Sequence, residues 1–397
     1  MRVALISAFV EDDVYEHKLD DDFMENTICK EDHFYHRIAK ALSKKNIKVV
    51  VFYPSKEKLE KKFVHKFGHE VVRVPVKHLP FIHEPIVYSP RLVEIIQKEF
   101  DVCQFVSGYY VMYKVPDMFD NIVAKLHNKM PVIARWAGGN HEWMTFFRKP
   151  IKKKSLNRCQ KILCSGKNEI NNLKKVFGIP KKKIEYIINP IDFSIFKNQN
   201  KNESRKKLKF DINKKYFLYV GRLTINKGIE ELLDVFEEIQ NSENNYKLIF
   251  IGEGPLKNTI LKYAKKHNLQ NSISLKGRLT HEEISIYYNA SSILFHIGTS
   301  GGLPNVIVEG IVSRIPIIAS INGANEDFVN EELGTGIIIP PKNKSELKKA
   351  IFTILHNEEK FGKKIPEYIH EFSYEGYANK LLRIYEEAKK DLVFSNN

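Results

Sequence analysis

FLYVGRLTINKGIEELLDVF, residues 217–236, is the stretch on which the reading of this chain turns. Phe217–Val220 is a short apolar run with the character of a buried strand. Gly221 permits a tight exit, Arg222 follows at once, and Lys227-Gly228 open an amphipathic segment of helical length. A guanidinium and an ammonium thus sit at the mouth of one strand, beside a helix N-terminus. That combination suits a diphosphate, because Arg offers bidentate charge-assisted hydrogen bonds, Lys a point charge and the helix end a favourable dipole. Taken alone the pattern is weak, since a surface Arg and Lys near any strand end would reproduce it.

Corroboration comes from GTSGGLPNVIVEGIVSRIPIIAS, residues 298–320. A strand at Ile293–Phe295 leads into the Gly/Ser-rich turn Gly298–Gly302, and Pro304 stands where a helix would begin. Free backbone N–H groups from Gly302, Leu303, Asn305 and Val306 would form a second phosphate cradle. Glu309 falls on the helix face of Asn305, among the apolar Val308, Ile311 and Val312. A lone acid in such company implies a polar ligand, such as a ribose, or a buried partner.

Outward from these segments, strand-like runs alternate with helix-length amphipathic stretches. In the first half the strands are read at Val3–Phe9, Val49–Tyr53, Val71–Val74, Val102–Val106, Val132–Arg135 and Ile162–Cys164. In the second they are read at Phe217–Val220, Leu248–Ile251, Ile273–Leu275, Ile293–Phe295, Ile315–Ala319 and Gly336–Ile339. The alternation predicts an α/β chain of two Rossmann-like, doubly wound domains in tandem, whose ligands would lie in a central cleft faced by the carboxyl ends of the strands. The expected division is an acceptor-side domain over 1–195, a linker over the polar stretch 196–215, and a nucleotide-binding domain over 216–373. At 397 residues, two domains are the natural expectation.

The hydrophobic fraction of 43% and charged fraction of 28% are those of an ordinary folded chain, and no run approaches the apolar length of a membrane span. The four cysteines, Cys29, Cys103, Cys159 and Cys164, show no metal spacing and no disulfide framework, which fits a reducing cytoplasm. A net charge of +15 points either to a lysine-rich solvated surface or to an anionic partner. Without a recognisable nucleic-acid motif, nucleic acid is not expected. The run Phe146-Phe147-Arg148-Lys149-Pro150-Ile151-Lys152-Lys153-Lys154 instead combines aromatic and basic residues suited to anionic headgroups, or is a solvated helix entry.

The order Gly-Arg-x4-Lys-Gly, Gly-Glu-Gly-Pro (Gly252–Pro255), Lys-Gly-Arg-Leu (Lys276–Leu279) and Gly-Leu-Pro-Asn-Val-x2-Glu closely resembles the family-four retaining glycosyltransferases of GT-B fold, the group 1 glycosyltransferases. Asn189-Pro190-Ile191-Asp192 resembles that family's Asn-Gly-Ile-Asp turn. The resemblance implies that Arg222 and Lys227 grip a donor diphosphate as the catalytic charges. Gly221 and the turn Gly302, Leu303, Pro304 and Asn305 would border the phosphates, Glu309 would hold the ribose, and Arg278 and Leu279 would lie beside the base. The helix over about 374–397 would pack back on the first domain. The substrate implied is a nucleoside-diphosphate sugar, UDP-linked for preference, with no metal and no cofactor. The acceptor implied is a glycan or lipid-linked glycan, reached in the cytoplasm or at the inner face of the membrane.

Three departures stand against this pattern. The family's first Glu of Glu-x7-Glu is replaced by Gly301, its sugar-contacting His by Ala137, and its Gly-Gly loop by Glu31-Asp32-His33. Gly138, Gly139 and His141 are then the candidates for sugar or acceptor contacts, along with the backbone at Gly301. These losses leave two readings open: an active transferase of altered donor preference, or a sugar-nucleotide-binding protein without turnover.

Overall fold

The computed structural model describes residues 1–7, 34–55, 58–79, 86–106, 118–136, 148–299, 305–322 and 324–396. The chain divides into two compact units: Met1–Pro190 with Tyr374–Asn397, and Ile191–Ser373.

The first unit runs β1 (Arg2–Ile6), α1 (Phe34–Ser43), β2 (Lys48–Ser55), β3 (Lys61–Val64), β4 (Glu70–Pro75), β5 (Lys77–Leu79), β6 (Ile86–Tyr88), α2 (Pro90–Glu99), β7 (Val102–Phe105), α3 (Met118–Leu126), β8 (Val132–Trp136), α4 (Arg148–Arg158), β9 (Lys161–Cys164), α5 (Lys167–Phe177) and β10 (Ile184–Tyr186). Its eight-stranded sheet has the order β10-β9-β8-β7-β1-β2-β4-β3. Only β3 runs antiparallel to its neighbour in that sheet. The central strands are apolar on both faces, as a parallel sheet covered on both sides demands. One face packs Ile95, Phe119, Ile122, Leu156 and Phe177.

The second unit runs α6 (Lys201–Lys207), β11 (Lys215–Val220), α7 (Ile229–Glu243), β12 (Tyr246–Ile251), α8 (Lys257–Lys266), β13 (Ile273–Leu275), α9 (His281–Ala290), β14 (Ile293–His296), α10 (Asn305–Val312), β15 (Ile317–Ser320), β16 (Gly336–Ile339) and α11 (Lys344–His356). Its sheet is wholly parallel, in the order β13-β12-β11-β14-β15-β16. The chain then re-enters the first unit as α12 (Tyr374–Asn396). There Tyr377, Leu381, Ile384 and Tyr385 join Ile38, Leu42, Val49 and Val51 in one buried cluster. Tyr385 donates to the amide oxygen of Gln104, and Arg135 Nη1 donates to Tyr377 Oη at 3.0 Å.

The stretch 196–215, expected as a linker, is part of the second unit. Asn200 caps α6, its side chain accepting from the N–H groups of Asn202 and Glu203. Arg205, buried, donates to the carbonyls of Ala290 at 3.0 Å and Ile212 at 2.8 Å, and its guanidinium lies over the Tyr216 ring. The segment is anchored by a cation rather than by an apolar stripe, so its sequence looks solvated. No helix among the described residues is long and apolar enough to cross a membrane.

Candidate functional site

In the six-stranded unit the chain lays β12 and β13 to one side of β11, then returns to place β14, β15 and β16 on the other. The loops leaving β11 and β14 therefore part at the carboxyl edge of the sheet. This reversal of strand order is where sheets of this type bind ligands.

The two loops are pinned to each other. Gly228, at φ +70°, occupies the left-handed region, and a Cβ there would stand 2.6 Å from the carbonyl oxygen of Ile297. Thr299 N–H donates to the Asn226 carbonyl at 3.1 Å, and the Ser320 hydroxyl donates to the Gly298 carbonyl. A Cβ on Gly298 would come within 3.2 Å of both Cα and Cδ of Lys227, so the lysine stem lies directly against that glycine. On the other flank, Tyr219 Oη, on a nearly buried ring, donates to the Arg222 carbonyl at 2.8 Å. The backbone that carries both cations is thus fixed from two sides.

Arg222 is exposed and Lys227 half-buried. Burial, and secondarily the Arg222 guanidinium, hold the Lys227 ammonium below its ordinary pKa. Neither cation has an ion-pair partner among the described residues. Two adjacent positive charges, one partly desolvated, raise each other's energy until an anion arrives. His296, the last residue of β14, is 7% exposed, and its ring makes no hydrogen bond among the described residues. Burial, and then Lys227, push its pKa down to about 4, so the imidazole is neutral at neutral pH and adds no charge to the pair. The sequence had drawn attention to Arg222 and Lys227 but not to His296, whose place at a strand end reads as core.

Asn305 opens α10 and is exposed, while Glu309 one turn later is buried. The Glu309 carboxylate accepts a 2.8 Å hydrogen bond from Tyr288 Oη of α9. Burial raises the Glu309 pKa to about 7 against the opposing effect of that bond. Tyr288 itself is fully buried and held well above its usual pKa by burial and the neighbouring carboxylate. A buried partner for Glu309 is therefore present. Reading the sequence alone missed Tyr288, because one aromatic at helical spacing is indistinguishable from a core residue. Arg278 follows β13 at the same carboxyl edge, mostly exposed, its Nε 3.0 Å from a Glu253 carboxylate oxygen. Leu279 beside it is partly buried. Gly301, Gly302, Leu303 and Pro304 lie outside the described residues.

In the eight-stranded unit, Ala137, Gly138, Gly139 and His141 also lie outside the described residues, directly after β8. Within it, sequence spacing gave no hint that His36, His65 and His69 meet, with ligand atoms within 4.8 Å of one another. His36 Nδ1 and His69 Nε2 are 2.8 Å apart, His36 Nε2 is 3.2 Å from Tyr53 Oη, and His65 stacks on His36 at 4.0 Å. A tetrahedral metal at roughly 2.0–2.1 Å from each nitrogen would hold the two about 3.3 Å apart, wider than the 2.8 Å found, which is a hydrogen-bond distance. The trio is a hydrogen-bonded dyad under a stacked third ring.

With this geometry in place, comparison with known proteins identifies the family. The family profile of glycosyl transferases group 1 matches residues 200–375, and that of glycosyltransferase family 4 matches residues 33–194. The chain belongs to the group 1 glycosyltransferases. A glycosyltransferase assigned to teichuronic acid biosynthesis in Bacillus subtilis, TuaC, is 29% identical over 161 residues, 40% of this chain and 38% of that protein. Alpha-monoglucosyldiacylglycerol synthase of Streptococcus pneumoniae is 25% identical over 188 residues, 43% of this chain and 42% of that protein. This group 1 glycosyltransferase thus spans less than half the length of these two relatives. Among solved structures, Anabaena HepE in complex with UDP superposes with a TM-score of 0.65 over 99% of this chain and 100% of that one, at 14% identity. The likeness shows the fold: two Rossmann-like domains of GT-B type.

Proposed function

We propose that this protein transfers a sugar, with retention of anomeric configuration and without a metal, from a nucleoside-diphosphate sugar to a hydroxyl of a glycan or lipid-linked glycan. The observation that carries the reading is the Arg222–Lys227 pair, unpaired among the described residues and fixed at the switch point of the six-stranded sheet. Such a pair meets a diphosphate and stabilises the negative charge that grows on it as the glycosidic bond breaks. In this reading the leaving phosphate helps take the proton from the acceptor hydroxyl, and the Glu309 carboxylate receives ribose hydroxyls. UDP is the favoured carrier, supported by the HepE structures with UDP and with UDP-glucose. A lipid acceptor is supported by the name of the pneumococcal relative, and in this reading it is met at the cytoplasmic face of the membrane.

The test is a thermal-shift panel of nucleoside diphosphates and their sugars, followed by assay of nucleoside diphosphate release with extracted glycolipid acceptors. A ligand that binds only the folded state raises the midpoint by mass action, which ranks base and sugar directly. With the donor identified, Arg222→Ala or Lys227→Ala lowers turnover by ~2.7–4 kcal/mol, by analogy with loss of one oxyanion donor. Full turnover in either variant would overturn the assignment. Binding without release across all acceptors would instead favour the reading without turnover that Ala137 and Gly301 suggest.

A further inference from the structure

A cavity of about 370 Å³ opens between α3 and α4 of the eight-stranded unit, far in sequence from the residues assigned to the donor. Asn121, Lys125, Lys154, Ser155 and Arg158 line it, together with Asp120. One oxygen of the Asp120 carboxylate is committed: Oδ2 lies 2.7 Å from Lys152 Nζ, both side chains almost wholly buried. Lys125, Lys154 and Arg158 have no ion-pair partner among the described residues. Their field reaches beyond the cavity, since Arg158, after burial, depresses the pKa of His127. A second observation is independent of charge. Ser155, 5% exposed, lines this space, and its hydroxyl makes no hydrogen bond among the described residues, so it is free to donate to an occupant.

We infer that this cavity binds a phosphate-bearing anion. Three cations and two neutral donors, the Ser155 hydroxyl and the Asn121 amide, match the several oxygens and double charge of a phosphomonoester. A single carboxylate would leave most of these donors unused. The volume falls within the range of small-ligand sites. The buried Lys152–Asp120 pair ties the two walls together. The phosphate belongs either to a soluble phosphomonoester or to a lipid headgroup, for which Ile151 on the lining gives an apolar neighbour.

The test uses the full chain carrying Arg222→Ala and Lys227→Ala, so that the donor site cannot contribute. Inorganic phosphate and glycerol 3-phosphate are titrated calorimetrically, and flotation is measured with phosphatidylcholine vesicles with and without phosphatidic acid. The pocket variant is Lys125→Gln with Lys154→Gln and Arg158→Gln. The control, equal in charge, is Lys206→Gln with Lys207→Gln and Lys209→Gln on and beside α6. The pocket variant loses about tenfold or more in affinity while the control stays within about twofold. Binding of the soluble probes assigns a soluble ligand, and binding only to phosphatidic acid vesicles assigns a headgroup. Equal loss in both variants, or no binding by any probe, overturns the site. Should the pocket variant fail to fold, Ser155→Ala and Arg158→Gln, made singly, must each still weaken binding.

Discussion

At the scale of single residues, Glu309 is a side chain whose chemistry departs clearly from its ordinary state. Its folded pKa of about 7 lies above the roughly 4.3 of an unfolded Glu. The folded protein therefore holds a proton that the unfolded chain has released over this interval, and stability falls as pH rises from about 4.5 toward 7. Glu309→Gln keeps the acceptor for Tyr288 and removes the titration. Its melting temperature relative to wild type should climb across that interval and level off above it, as scanning calorimetry at stepped pH would show. A constant difference would mean that Glu309 is ionised throughout. How far the site is legible in sequence follows from the same residue. Its acid among apolar neighbours announced a hidden partner, but which of two adjacent tyrosines supplies it depends on how α9 is rotated. Arg222 and Lys227 were legible because they are charged and consecutive with a strand end. His296 was not, because neutrality comes only from tertiary burial beside Lys227.

At the scale of elements, the apolar strands were plainly legible. The apolar runs of both halves became strands of the two sheets, since buried parallel strands carry their signal in every residue. The short β3, β5, β6 and β10 escaped notice; β3 is largely exposed and β10 only half-buried, so neither carries the apolar signal of a covered strand. Helix α4, RKPIKKKSLNR, also lacks a visible apolar stripe. It is held by Leu156 and by the buried ammonium of Lys152 against Asp120. Removing one member of that pair, Lys152→Met or Asp120→Asn, should cost ~3–5 kcal/mol, because the survivor is left charged in an apolar setting. Replacing both, with Lys152→Met and Asp120→Leu, should recover most of that loss in urea titrations. If the double variant is as unstable as the sum of the singles, the two side chains are uncoupled and the loss does not come from an uncompensated charge. At the start of α7, Gly228→Ala forces a Cβ against the Ile297 carbonyl in a left-handed backbone. The strain should exceed about 1 kcal/mol and spread the loops after β11 and β14. The expected result is a weaker nucleotide-induced thermal shift, where a mere stability loss would leave that shift intact.

At the scale of the whole molecule, the chain leaves the eight-stranded unit at Pro190 and re-enters it at Tyr374. These two ends are paired: Ile191 N–H donates to the Phe372 carbonyl at 2.7 Å, and Ile191 bridges Ser373. Fragment 191–373 is continuous and should melt cooperatively on its own, whereas fragment 1–190 should not, since it lacks the α12 side chains that cover Ile38, Leu42 and Val51. Circular dichroism melts of both fragments, with α12 added to the second as a peptide, would decide this. A cooperative melt from 1–190 alone would show that α12 is dispensable. On the ribosome this discontinuity inverts the usual order in which the earlier domain folds first. Residues 1–190 emerge with an uncovered apolar face and must wait through the synthesis of an entire second unit for the helix that closes it. During that interval the nascent chain depends on chaperones more than a tandem of two continuous domains would.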